Sequence, residues 1–248
     1  MTQHDQSKPS TLSTTTAVTN TTLDTGAGAA LTRKHSVSVP GLHARLRNPI
    51  TKAADPNTMP NRIALMLDVS GSMQGDKIQS LRDATQGFVA ACNLTDTSVG
   101  LEPFGEGWPP PNRIALTCFG PLLLTTCATL QAVGLTPMAQ AMDYVINTYS
   151  VTRGVIVSDG EPDSEQACYD IALQYKEAGI TVDCVHIGTS QGGERCLRRI
   201  AELTGGQYIK FTDVTSFSRS FKYLTPAMYG ILCSGGVSAA ELGAKELK

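Results

Sequence analysis

Residues Arg62 to Met73 read RIALMLDVSGSM, and the fold of the chain follows from how this stretch is built. Ile63 to Leu67 is a short, bounded apolar run, the pattern of a strand buried on both faces. The run stops at Asp68, after which Ser70 and Ser72 place hydroxyls on either side of Gly71. A carboxylate and two hydroxyls on one turn at the end of a buried strand crowd hard oxygen donors into a small volume. Such donors suit a Mg²⁺-type ion, which takes oxygen ligands in near-octahedral geometry and keeps part of its water. Asp, Ser and Gly are also ordinary turn residues, so the same residues describe a turn that closes a strand.

The pattern repeats downstream. Gly154 to Ser158 (GVIVS) is a second short apolar strand, and it runs into Asp159-Gly160-Glu161-Pro162-Asp163. Two buried strands therefore each deliver a carboxylate at their carboxyl ends, where open α/β sheets hold their ligands. Glu161 and Asp163 read as rim charge or helix caps. Between the two strands, Met138, Ala141, Met142, Val145, Ile146 and Tyr149 recur at helical spacing. Pro137 suits the first helical position of this segment and Thr136 its N-cap. A hydroxyl at a helix start can also face a metal shared with neighbouring loops, so capping and ligation are compatible at Thr136.

Asp68-Val69-Ser70-Gly71-Ser72-Met73 resembles the first motif of the von Willebrand factor A-like family and its metal-ion-dependent adhesion site. Gly134 to Pro137 is similar to the second motif and Asp159 to the third, while Leu197 to Ala201 followed by Thr204 to Tyr208 is similar to a late signature. The resemblance covers roughly Arg62 to Leu224. It implies an α/β, doubly wound, mostly parallel six-stranded sheet with one antiparallel edge strand and helices on both faces. It also implies a metal set of Asp68, Ser70, Ser72, Thr136 and Asp159, with hydroxyls contacting Mg²⁺ or Mn²⁺ directly and aspartates often acting through water. A partner's Asp or Glu would complete the coordination. In the intracellular bacterial form of the family, such domains serve as adaptors beside AAA+ ATPases or Ser/Thr kinase and phosphatase pairs.

The rest of the chain fits this frame. Ile78, Leu81, Phe88, Val89 and Cys92 make a helix stripe that Asp76 can cap, with Lys77, Arg82 and Asp83 as solvated charge. Ser98 to Leu101 and Arg113 to Phe119 read as strands joined by EPFGEGWPPPN, a connection suited to a hairpin with a long tip. Trp108 in that tip either covers neighbouring apolar surface or, with Glu161, contacts a partner. Ala167, Cys168, Ile171, Ala172, Tyr175 and Ala178 form another helix stripe, closed by Gly179, and Ile180 to Ile187 a strand containing His186. Cys118 and Cys184 fall inside apparent strands, and His186 reads as a core or surface histidine. Cys196, Leu197, Ile200 and Ala201 line a helix, Gln207 to Phe211 reads as the last strand, and Phe217, Phe221 and Leu224 as the last helix.

Composition narrows the class further. With 248 residues, 41% hydrophobic and 17% charged, the chain has material for one sizeable domain. A net charge of −2 offers no field for nucleic acid or anionic membrane. No run reaches the roughly 18 apolar residues of a membrane span, and MTQHDQSKPS lacks the apolar core of a signal peptide. Seven cysteines without close pairing motifs point to reduced thiols and a cytoplasmic location. The expected organisation is a disordered Ser/Thr-rich tail at 1–45, a linker at 46–60, the folded domain at 61–229 and a C-terminal tail at 230–248. An enzyme of a different class, a Mg²⁺-dependent hydrolase or phosphotransferase using Asp68 or Ser70 as nucleophile, would need a general base or a cationic clamp in the same loops. Only Lys77 and Arg153 are near in sequence, and both are expected to face outward, so the sequence favours a binding module that is not an enzyme.

Overall fold

A computed structural model of the chain describes residues 54–105, 107, 109–226, 228–229 and 241–242. The tail expected at 1–45, the linker up to 53, most of the 230–248 tail and Trp108 lie outside the described residues. Six strands and six α-helices follow one another among these: β1 (Asn61–Asp68), α1 (Asp76–Ala91), β2 (Thr97–Phe104), β3 (Ile114–Thr117), α2 (Gly120–Ala128), α3 (Met138–Thr148), β4 (Arg153–Ser158), α4 (Glu165–Glu177), β5 (Thr181–Ile187), α5 (Gln191–Thr204), β6 (Tyr208–Phe211) and α6 (Val214–Ser220). They form one six-stranded sheet of order β3-β2-β1-β4-β5-β6. Every neighbouring pair is parallel except β2 with the edge strand β3.

Alternation along the strands sends side chains into two separate cores. Ile63, Leu65 and Leu67 of β1 pack with Leu81, Phe88, Leu123, Phe217 and Phe221 from α1, α2 and the C-terminal helical segment. Ala64 and Met66 face the other way, onto Met138, Met142, Tyr175, Leu197 and Ile200 from α3, α4 and α5. Strands covered on both faces need apolar residues at every position, hence the unbroken run from Ile63 to Leu67. The chain winds from β1 outward to β2 and β3, then returns to lay β4 on the other side of β1. The order therefore reverses at the β1–β4 seam, where Leu67 is level with Val157. Asp68 and Ser158 end the two strands at the same edge, and a switch point of this kind opens a crevice.

Several local expectations are corrected. Asp76 does not cap α1: Gly75 holds the N-cap position at φ 76°, and Asp76 is the first helical residue. Thr136 does not cap α3 either. Pro137 occupies the N-cap without a side-chain bond, so the Thr136 hydroxyl is not committed to capping. β2 continues through Glu102, Pro103 and Phe104, residues assigned above to the connection. Buried Glu102 is sustained there by two-pronged hydrogen bonds from Arg113 of 2.7 and 2.6 Å. Cys118 lies past the end of β3, whereas Cys184 is buried in β5 as expected. The helix Gly120–Ala128 has no counterpart in the expectations, because its apolar residues do not form one stripe: Leu123 and Cys127 are buried while Leu122 and Leu124 are exposed. Arg153 does not face outward. It starts β4 at the far end of the sheet from Asp68, pairs with buried Asp183 and stacks on the Tyr229 ring.

Gly105, just after β2, is wedged where the loops above the sheet meet. A Cβ there would stand 2.7 Å from the Val133 carbonyl oxygen and 2.8 Å from that of Val69. Gly105→Ala should therefore destabilise the domain by roughly 1–3 kcal/mol through overpacking, measured by urea unfolding. Gly87→Ala, in the interior of α1 with nothing within 4 Å of the added methyl, should stabilise it by about 0.5–1 kcal/mol.

Candidate metal centre

Three loops converge over the β1–β4 seam, and their backbones are stitched together. The Gly71 N–H donates to the Gly134 carbonyl at 2.9 Å and the Val133 N–H to the Val69 carbonyl at 2.7 Å, joining the β1–α1 loop to the α2–α3 loop. The Asp163 N–H donates to the Thr136 carbonyl at 3.1 Å, while the Thr136 N–H donates to Asp163 Oδ1 at 3.1 Å. Asp163 thus fastens the α2–α3 loop to the β4–α4 loop. Gly193 in the first turn of α5 completes the support: a Cβ there would meet the Gly160 carbonyl at 2.7 Å, so only glycine lets the helix approach the Asp159 loop this closely.

Four of the five expected donors form one hydrogen-bonded chain. Asp68 Oδ1 accepts from the Ser70 N–H at 2.8 Å, and Asp68 Oδ2 from the Ser158 hydroxyl at 2.5 Å. The Ser70 and Ser72 hydroxyl oxygens are 3.0 Å apart, and Ser72 Oγ donates to Asp159 Oδ1 at 2.7 Å. The chain climbs from Asp68, which is fully buried, through Ser70 and Asp159, nearly so, to the exposed Ser72. Thr136, the fifth, is half-buried in the adjoining loop, and no hydrogen bond forms to its hydroxyl among the described residues. Burial pushes the Asp68 carboxyl up to about 6, against the hydrogen bonds from Ser158 and Ser70 that hold it down. A carboxylate kept this far from water depends on a compensating positive charge or on protonation.

Two participants escaped the sequence reading. Ser158, read only as a strand end, bridges the two central strands by holding Asp68. Lys77, read as solvated charge, folds back into the site. Its ammonium pairs with Asp159 Oδ2 and donates to the Ser72 carbonyl at 3.2 Å. The signal available for Ser158 was its place beside Asp159; for Lys77 it was a basic residue in the first turn of a helix, where the dipole disfavours it. Glu161 is exposed at the rim and lies against Gly192 at the start of α5. His186, level with Ser158 on β5, is a buried core histidine with Nδ1 3.0 Å from the Tyr208 hydroxyl. Burial, reinforced by Lys210, depresses its pKa and keeps the ring neutral.

The donor set fits a hard divalent cation. Around an ion with oxygens at about 2.0–2.1 Å, adjacent octahedral positions are about 2.9 Å apart, which the Ser70–Ser72 and Ser72–Asp159 spacings of 3.0 and 2.7 Å reproduce. Among the described residues no group of three or more His, Cys, Asp and Glu is placed to hold a metal ion, and the donors gathered here are hydroxyl-rich and sulfur-free. That chemistry suits Mg²⁺ or Mn²⁺ rather than a structural Zn²⁺ centre.

A doubly wound, mostly parallel six-stranded sheet with helices on both faces defines a Rossmann-like α/β domain. Residues 63–223 match the von Willebrand factor type A domain model, and the chain belongs to that family. No curated protein sequence matches it. Among solved structures it is similar to the SpRpn10 VWA domain, at 14% identity and a TM-score of 0.53 over 63% of this chain and 94% of that one. It is also similar to the manganese-loaded TRAP protein of Plasmodium vivax, at 14% identity and a TM-score of 0.50 over 71% and 76%. A third is proximal thread matrix protein 1 from mussel byssus with a zinc-occupied MIDAS motif, at 12% identity and a TM-score of 0.54 over 72% of this chain and 47% of that one. At these identities the likeness establishes the shared fold.

The Ser158–Asp68 bond generates a stability prediction. Ser158→Ala leaves a fully buried carboxylate oxygen without its partner and should cost about 1–3 kcal/mol, read from urea unfolding without added metal. Unchanged stability would mean that Asp68 is satisfied by other means.

Proposed function

We propose that the domain is a metal-dependent protein–protein interaction module. A Mg²⁺ or Mn²⁺ ion is held by the Ser70, Ser72 and Thr136 hydroxyls with Asp68 and Asp159, the aspartates acting in part through water. An Asp or Glu of a partner protein replaces a remaining water as the last ligand. The observation that carries this reading is the run of side-chain oxygens Ser70–Ser72–Asp159 at octahedral-edge spacings, with Asp68 tied to the same turn through the Ser70 N–H and a Thr136 hydroxyl without another commitment. Metal in the TRAP and thread matrix protein structures supports it. When bound, the ion supplies an electrophilic coordination position. The protein's own residues fix the donors, exclude water from beneath, and surround the position with exposed Val133, Leu135 and Glu161, on which a partner's flanking residues rest.

The hydrolase alternative is disfavoured by access. Asp68 is fully buried with both carboxylate oxygens accepting hydrogen bonds, and Ser70 is 2% exposed. Neither can reach a substrate as a nucleophile without dismantling the site. Lys77 is a cation in the site, but it is committed to Asp159. A cytoplasmic adaptor role agrees with six free thiols among the described residues and with the lack there of a helix long and apolar enough to cross a membrane. Its partner would be an AAA+ ATPase assembly or a Ser/Thr kinase and phosphatase pair.

Mg²⁺ or Mn²⁺ at about a hundred times its dissociation constant should stabilise the domain by about 2.7 kcal/mol, reversibly with EDTA. Asp68→Ala or Thr136→Ala should abolish that gain and the capture of a partner in pull-downs from native cells. Capture unchanged by EDTA and by both substitutions would rule out docking through the ion. Phosphatase turnover lost in Asp68→Ala would favour the enzyme instead.

A further inference from the structure

Lys77 is placed where its charge is unwelcome unless something answers it. It is the second residue of α1, at the positive end of the helix dipole, where a cation is disfavoured. Its side chain turns back over that end, bringing the ammonium to Asp159 Oδ2 and, at 3.2 Å, to the Ser72 carbonyl. Asp159 is almost wholly buried, and its other oxygen accepts from Ser72. The ammonium is therefore joined to the donor cluster itself, while the Lys77 side chain retains 37% exposure and has room to move.

We infer that Lys77 is a built-in countercharge that weakens the hold on the cation and strengthens the draw of the loaded site for a carboxylate. The inference rests on the metal-binding reading above and concerns the charge of that same site. Asp68 and Asp159 ionised beside the Lys77 ammonium leave one net negative charge. A divalent cation turns this into one net positive charge, and a partner's carboxylate brings the cluster to neutrality. Without Lys77 the cation alone neutralises the two carboxylates, and an incoming carboxylate leaves the cluster negative. Exposed Glu161 and Asp163 on the rim contribute equally in both cases and cancel in the comparison. The ammonium thus sets a division of labour: looser metal, more avid capture. A surface ion pair with no bearing on the ligand would change neither quantity appreciably, since such pairs contribute little.

The test uses the full chain as wild type, Lys77→Gln and Lys77→Arg, with Mn²⁺ and acetate as probes. Mn²⁺ binding is measured alone by electron paramagnetic resonance of the free ion. Acetate is then titrated into the Mn²⁺-loaded protein and followed by water-proton relaxation, which falls as a carboxylate displaces bound water. Lys77→Gln should bind Mn²⁺ roughly five- to tenfold tighter and acetate weaker by a similar factor. Lys77→Arg, which keeps the charge, should stay near wild type in both. Changes of the same sign in the two measurements, or no change, would overturn the inference while leaving the metal site standing. A wild-type protein that takes up no Mn²⁺ would instead overturn the metal reading, and the role of Lys77 with it.

Discussion

A hydroxyl on one strand holding a carboxylate on its neighbour is the constraint on which the upper edge of this sheet depends. Ser158 and Asp68 end adjacent parallel strands, and the bond between them spans the one seam where the winding of the sheet reverses. A buried carboxylate at that seam would be intolerable alone. It is made tolerable by the Ser158 hydroxyl below, the Ser70 N–H ahead and a turn that lifts two further hydroxyls above it. The strand order makes this arrangement available: β4 returns to lie beside β1, so connections leaving the two strands diverge and leave room between them.

The surrounding loops are held by backbone bonds rather than by packing alone. Val69 and Gly71 clasp Val133 and Gly134, and Asp163 clasps Thr136 from the other side. Glycines at 105 and 193 permit approaches that a side chain would forbid. These bonds fix where the Asp68, Ser70, Ser72, Thr136 and Asp159 side chains leave the backbone. The cluster is graded from a buried carboxylate at its base to an exposed hydroxyl at its rim.

Much of this was legible in the chain. The apolar runs at Ile63 to Leu67 and Val155 to Val157 read as short buried strands, the first followed at once by Asp68 and the second by Ser158 and Asp159. That repetition points to carboxylates from two buried strands at one sheet edge, while the six-stranded sheet and the gathering of Asp68, Ser70, Ser72 and Asp159 were what the resemblance to the von Willebrand factor A-like family implied. Less accessible were features set by tertiary contact. Glu102 and Pro103 look like loop residues, yet Arg113, just before the returning strand β3, makes a buried glutamate acceptable within β2. Thr136 looks like a cap, but the loop is held by Asp163, and the helix begins after Pro137. The helix Gly120–Ala128 has no single apolar stripe to announce it. Lys77 and Arg153 both resemble surface charge, and long cationic side chains can fold back to buried carboxylates from positions whose spacing predicts exposure.

The central claim is that oxygens from three loops surround one divalent ion. Its most direct test is an anomalous difference map from crystals of the protein grown with Mn²⁺. The account predicts one strong peak within coordination distance of the Ser70, Ser72 and Thr136 hydroxyls, with Asp68 and Asp159 beside it. No peak at saturating Mn²⁺, or one confined to surface carboxylates away from the β1–β4 seam, would contradict it.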